Sequence, residues 1–155
     1  MDIEDEFMDY SSCELQEFPE TKEPIALKIK HLSLYDNDIT VLPRYISSFC
    51  NLVSLDISNN QLQHVSEEFS RLTHLQTFEA RNNFLDTESI PKDFANLVNL
   101  VNINLSGNRL TEIPVQFLSL PFLQCLSLGG NQIHTVPREI RNLSRYKTCF
   151  NIYYL

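Results

Sequence analysis

Apolar residues return along this chain in short alternating runs. Leu32 and Leu34 flank a polar Ser33, and the same apolar-polar-apolar triplet recurs at Leu55–Ile57, Phe78–Ala80, Ile103–Leu105 and Leu126–Leu128. A period of two predicts a strand with one buried face. Behind each triplet stands an asparagine, at positions 37, 60, 83, 108 and 131, with spacings of 23, 23, 25 and 23 residues. The shared frame reads LSLYDNDI, LDISNNQL, FEARNNFL, INLSGNRL and LSLGGNQI. Downstream of four frames lies an apolar-Pro pair, Leu42-Pro43, Ile90-Pro91, Ile113-Pro114 and Val136-Pro137, while the second frame has Val65-Ser66.

Such a unit cannot bury its own apolar face. Stacked copies can, so the pattern predicts parallel strands lying side by side, each one repeat from the next. The second half of each unit supplies a further apolar pair: Ile46 and Phe49, Phe69 and Leu72, Phe94 and Leu97, Phe117 and Leu120, Ile140 and Leu143. These pairs should close the core from the convex side. Proline near the start of that half fixes φ, and the short repeat leaves no room for a full helix, so 3₁₀ or extended segments are expected there. The asparagine falls where the chain turns inward. Its amide can satisfy backbone groups of its own and adjacent repeats, which assigns Asn37, Asn60, Asn83, Asn108 and Asn131 a structural role.

These residues resemble the leucine-rich repeat family, in its short intracellular class with an LPxxIxxL second half. The resemblance implies an α/β solenoid, a curved parallel β-sheet backed by short 3₁₀ or extended segments, that binds protein partners on its concave face. It divides residues 29–145 into five repeats, 29–51, 52–74, 75–99, 100–122 and 123–145. Residues 1–28 read as an acidic segment carrying a degenerate capping repeat, with Met8 and Tyr10 inward and Cys13 in place of the asparagine. The third repeat is two residues longer, which predicts a bulge near Asp86 to Ser89. From residue 146 the frame breaks: Asn151 falls where an inward leucine belongs. Residues 146–155 are therefore set apart as a non-repeat tail, which reads as a truncated or alternatively terminated end. The alternative is that Cys149, Phe150 and Ile152 form a last strand.

Charge narrows the partners. The formal net charge is −8, which disfavours nucleic acid and anionic membrane surfaces and favours basic or neutral protein surfaces. Residues 1–10 carry five acids and no basic region of a secretory signal, and no apolar run is long enough to cross a bilayer. Cys13, Cys50, Cys125 and Cys149 show no CxxC pairing, so reduced thiols and a cytoplasmic location are expected. The chain is expected to be monomeric, with association through an uncapped C-terminal edge as the alternative.

No phosphate-binding glycine loop, HExxH or nucleophile elbow occurs, and His31, His64, His74 and His134 occupy unrelated frame positions. Neither catalysis nor a cofactor or metal is expected. Binding then rests on the concave columns that alternate with the inward residues. One runs Phe7, His31, Ser54, Thr77, Asn102, Cys125; the next Asp9, Ser33, Asp56, Glu79, Asn104, Ser127; the third Ser11, Tyr35, Ser58, Arg81, Ser106, Gly129. Tyr35, Asp56, Glu79 and Arg81 are the candidate hot spots, flanked by His31, Asn102 and Asn104. The expected function is a scaffold or adaptor. Its alternatives are a substrate-recruiting subunit of a ubiquitin ligase or phosphatase, and a truncated product without independent function.

Overall fold

The computed structural model describes residues 6–145 and 149–151, with backbone only for 142–145 and 149–151. Residues 1–5, 146–148 and 152–155, and with them part of the acidic segment and most of the predicted tail including Ile152, lie outside the described residues.

The alternating triplets form strands. β1 (Phe7–Asp9), β2 (His31–Ser33), β4 (Ser54–Asp56), β6 (Thr77–Glu79), β7 (Asn102–Asn104), β8 (Cys125–Ser127) and β9 (Cys149–Asn151) lie in that order in one sheet. Every pairing is parallel, and the register sets Met8, Leu32, Leu55, Phe78, Ile103 and Leu126 in one row. Leu32, Leu55, Phe78, Ile103 and Leu126 are all buried, as are Leu34, Ile57, Ala80, Leu105 and Leu128 of the second row. Both apolar positions of each triplet therefore face the core, and the intervening polar residue faces outward.

The second halves behave as the proline argument requires. Short 3₁₀ segments run over Arg44–Ser48, Glu67–Arg71, Lys92–Asn96, Val115–Ser119 and Arg138–Arg145, each starting directly after Pro43, Ser66, Pro91, Pro114 or Pro137. Their apolar members join the strand rows in one core. Phe69 stacks on Phe94 at 5.5 Å and packs on Phe78 at 4.9 Å, while Phe94 meets Phe117 edge-on at 5.0 Å. Aromatic rings thus run across three successive repeats, and ring pairs of this kind add to the burial term. The N-terminal unit differs in carrying one α-helical turn, Glu23–Ala26, where Pro24 sits at a position whose missing N–H costs nothing. Met8, Tyr10 and Leu15 are partly buried against the core and Phe18 is fully buried.

A second, two-stranded parallel sheet joins β3 (Val41–Leu42) to β5 (His64–Val65). It stops at the third repeat, whose extra length folds as a 3₁₀ turn, Thr87–Ser89, held by a capping box in which Asp86 accepts from the Ser89 N–H at 2.8 Å. Side-chain hydroxyls take over where the strand is lost. Ser89 Oγ donates to the Gln63 carbonyl at 2.7 Å, and Thr87 Oγ1 accepts from the N–H groups of Thr111 and Glu112 at 3.1 and 3.3 Å. The pattern resumes as a single bridge between Glu112 and Thr135.

Within the segment set apart as a tail, β9 is in register with β8. Phe150 stands opposite Leu126 and Asn151 opposite Ser127. The strand frame thus continues one residue later than a strict 23-residue repeat would place it. The preceding 3₁₀ segment is eight residues long where its counterparts have five, which carries the strand start downstream.

Candidate functional site

The asparagines have the role their position implies. Asn60 Oδ1 accepts from the Ile39 N–H at 2.9 Å, in the preceding repeat, while its Nδ2 donates to Leu34 O and Ile57 O at 2.9 and 3.1 Å. Asn83, Asn108 and Asn131 repeat the arrangement towards Leu62, Leu85 and Leu110. Asn37 accepts from both Cys13 N and Leu15 N. Cys13 itself is exposed, and its thiol reaches only Ser11 O within its own turn, at 3.4 Å. Cysteine here gives none of the two-sided bridging that the amide gives.

The residue before each of these asparagines forms a second ladder that the frame reading passed over. Asp36, Asn59, Asn82, Gly107 and Gly130 all have φ between 54° and 68°, as does Ser12. This left-handed conformation is tolerated by Asp and Asn and free for Gly, and the sequence shows only those three types at the five asparagine-bearing positions, which was the available signal. Asn82 Nδ2 donates to Asn59 Oδ1 at 2.9 Å, and Asn59 Nδ2 donates to the Tyr35 hydroxyl at 3.0 Å. Tyr35 is thereby fixed at one edge of the concave face.

The register brings two of the four candidate hot spots side by side in the middle of that face. Asp56 and Glu79 are direct neighbours in β4 and β6. Tyr35 and Arg81 lie two residues beyond β2 and β6. Part of Asp56 is committed to the fold, since one of its oxygens accepts the Ser58 N–H at 2.8 Å. Asp9 and Asn104 make the same short loop to Ser11 and Ser106. Two hydrogen bonds from Ser11 hold the Asp9 carboxyl below its ordinary range. Ser58 itself is buried, and its hydroxyl has no hydrogen-bond partner among the described residues.

Glu79 is the perturbed group of the face. Burial pushes its carboxyl upward, the hydrogen bond from Asn104 pulls the other way, the Asp56 carboxylate adds to the rise, and Arg81 opposes it. Two adjacent members of its column are thus an acidic pair whose repulsion Asn104 and Arg81 oppose. His31 stacks on Phe7 with ring centroids 4.4 Å apart, so it lies at the N-terminal margin. Asn102 reaches Thr77 Oγ1 at 3.5 Å, and Asn104 is spent between Glu79 and Ser106. Among the described residues no group of three or more His, Cys, Asp or Glu could hold a metal ion, and no helix is long and apolar enough to cross a membrane.

A parallel strand row, a buried asparagine ladder and 3₁₀ segments behind prolines define a leucine-rich repeat solenoid, and the chain belongs to that family. Two leucine-rich repeat family models match it, over residues 50–110 and 122–143. Leucine-rich repeat-containing protein 58 of Xenopus tropicalis is 48% identical over 65 residues, which are 42% of this chain and 19% of that protein. The match therefore spans about a fifth of the relative's length. Among solved structures, a leucine-rich repeat protein of Leptospira interrogans superposes with a TM-score of 0.78 at 30% identity, covering 90% of this chain and 36% of that one. The Arabidopsis receptor kinase HAESA, crystallised with the peptide hormone IDA and the co-receptor SERK1, gives 0.79 at 29% identity over 97% of this chain and 27% of its own.

Proposed function

We propose that this chain is a non-catalytic scaffold or adaptor that takes a protein partner on the concave face, centred on Tyr35, Asp56, Glu79 and Arg81. The observation that carries the reading is the half-buried acidic pair of Asp56 and Glu79 on an open sheet face, with Arg81 as the opposing charge at its border. A lysine or arginine of a partner seated there offsets the like-charge repulsion and favours the ionised form of Glu79. The family resemblance supports protein recognition in general, and HAESA is a neighbour whose structure contains a peptide and a co-receptor. We further propose a cytoplasmic setting, which suits the unbridged thiols Cys13 and Cys50.

The test is quantitative affinity capture from cytosol with the wild type, the double charge reversal Asp56→Lys plus Glu79→Lys, and a control reversed at exposed Glu17 and Glu20. Proteins lost with the concave reversal and kept with the control are the expected result. Identical capture by all three chains would remove the concave face from consideration.

A further inference from the structure

The register of the last strand pair brings two cysteines together, and we propose that Cys125 and Cys149 form a cross-strand dithiol that closes reversibly into a disulfide. Cys125 opens β8 and stands directly opposite Cys149, the first residue of β9. Strict counting at 23 residues puts Cys149 in the inward row, opposite Leu126. The eight-residue 3₁₀ run before it delays the strand by one residue, so Phe150 takes that row and Cys149 joins the concave column of His31, Ser54, Thr77, Asn102 and Cys125. A shift of one residue exchanges the two faces of a strand, and the pair exists for that reason. The other two cysteines, Cys13 and Cys50, lie in turns outside the sheet.

The spacing suits the bond. Neighbouring strands of a sheet run roughly 4.7–4.9 Å apart, inside the Cα separation of about 4.4–6.8 Å that a disulfide bridges. On the inner side of a curved sheet the bonds leaving adjacent strands converge, which brings opposed positions towards the shorter Cβ separation that the bridge requires. Cys125 is partly exposed, so an oxidant in solution can reach it. Its thiolate attacks one sulfur of a glutathione-type disulfide, which breaks that S–S bond and releases one glutathione thiol. The Cys149 thiolate then attacks the Cys125 sulfur of the mixed disulfide and expels the second. One S–S bond replaces two protein S–H bonds, the small disulfide takes up two electrons and both protons, and excess glutathione thiol reverses the exchange. Transient disulfides of this kind are the ones compatible with a cytoplasmic setting. The bond ties β9, the outermost strand of the described sheet, to β8. Stacked arrays open first at their ends, so oxidation holds the C-terminal end of the concave face closed. None of this depends on the Asp56–Glu79 reading.

Equilibration of the full chain in glutathione redox buffers tests the proposal, followed by acid quenching, alkylation of the remaining thiols and peptide mapping. The wild type should lose two hydrogens in intact mass, with the linkage mapping to Cys125 and Cys149 and with Cys13 and Cys50 alkylated. A variant carrying Cys13→Ser and Cys50→Ser should oxidise in the same way. Cys125→Ser and Cys149→Ser should each gain glutathione at the remaining member of the pair and form no internal linkage. In urea the thiols lose their placement, so the oxidation constant of this pair should fall at least about tenfold below its native value. Amide exchange over 149–151 should slow at least about tenfold on oxidation and recover on reduction. Linkage of Cys149 to Cys13 or Cys50 would overturn the proposal. So would glutathione on both Cys125 and Cys149 without an internal bond, or an oxidation constant as high in urea as in the native chain.

Discussion

Replacing Asn83 by alanine isolates what one rung of the ladder contributes. The side chain is 3% exposed. Its Nδ2 donates to Ile57 O and Ala80 O, but these carbonyls are doubly served: Asn60 also donates to the first at 3.1 Å, and Asn108 to the second at 2.9 Å. Both stay satisfied in the variant. The Leu62 N–H, 2.8 Å from Asn83 Oδ1, does not, and it is buried. The cost is therefore that of one orphaned buried donor, about 1–3 kcal/mol, with a small addition for the space left behind. Asn37→Ala is the comparison. It leaves Cys13 N and Leu15 N without their acceptor, yet these lie in a partly exposed turn at the array's margin where water can substitute. Urea unfolding followed by circular dichroism and tyrosine fluorescence should place Asn83→Ala at about 2 kcal/mol and Asn37→Ala below about 1 kcal/mol, with unchanged denaturant slopes. An Asn83→Ala cost near zero, or one no larger than that of Asn37→Ala, would refute the argument that the buried amide N–H sets the penalty.

Gly107 and Gly130 share φ of 68°, but a Cβ on Gly107 would overlap Asn82 Oδ1, whereas on Gly130 its closest neighbour is Gly107 N at 3.4 Å. Gly130→Ala should thus cost about 1 kcal/mol for the left-handed backbone alone, and Gly107→Ala about 1 kcal/mol more, measured by chemical unfolding. Combining Gly107→Ala with Asn82→Gly should recover that extra part; additivity of the two would contradict the overlap. For Glu79 the sign follows from a carboxyl raised in the folded state. The unfolded chain ionises at lower pH, so the favourable contribution is complete below the unfolded value and is lost as pH rises through the folded one. Glu79→Gln should raise the Tm at pH 7, and the gain should fade below about pH 4, where both side chains are neutral. A gain independent of pH would count against this account.

The strand rows and the asparagine ladder were legible because both repeat at a fixed spacing and each position has one physical requirement. Leu32, Leu55 and Leu126 had to be inward, and no long-range information was needed to see it. The expected bulge at Asp86 to Ser89 was legible as surplus length; its folding as a capped 3₁₀ turn whose hydroxyls bridge both neighbouring repeats was not, since that depends on which strand fails to form. The last strand through Cys149 and Phe150 stood only as the alternative to a non-repeat tail for a related reason. Nothing local says that Arg138–Arg145 extends its 3₁₀ run, and a one-residue shift moves Phe150 into the row where counting put Cys149. On the concave face the columns were readable, but the division of labour within them was not. Asp56 looked as free as Glu79 until its bond to the Ser58 N–H was seen, and Asn104 looked like a contact residue although both ends of its amide are engaged.

The ladder also has a direction. Ile39, Leu62, Leu85 and Leu110 each give their N–H to the asparagine of the repeat that follows. For these four N–H groups the acceptor comes from the successor repeat. During synthesis from the N-terminus, each turn emerging from the ribosome must wait for the next asparagine before its backbone is satisfied, so folding trails translation by about one repeat along the whole array.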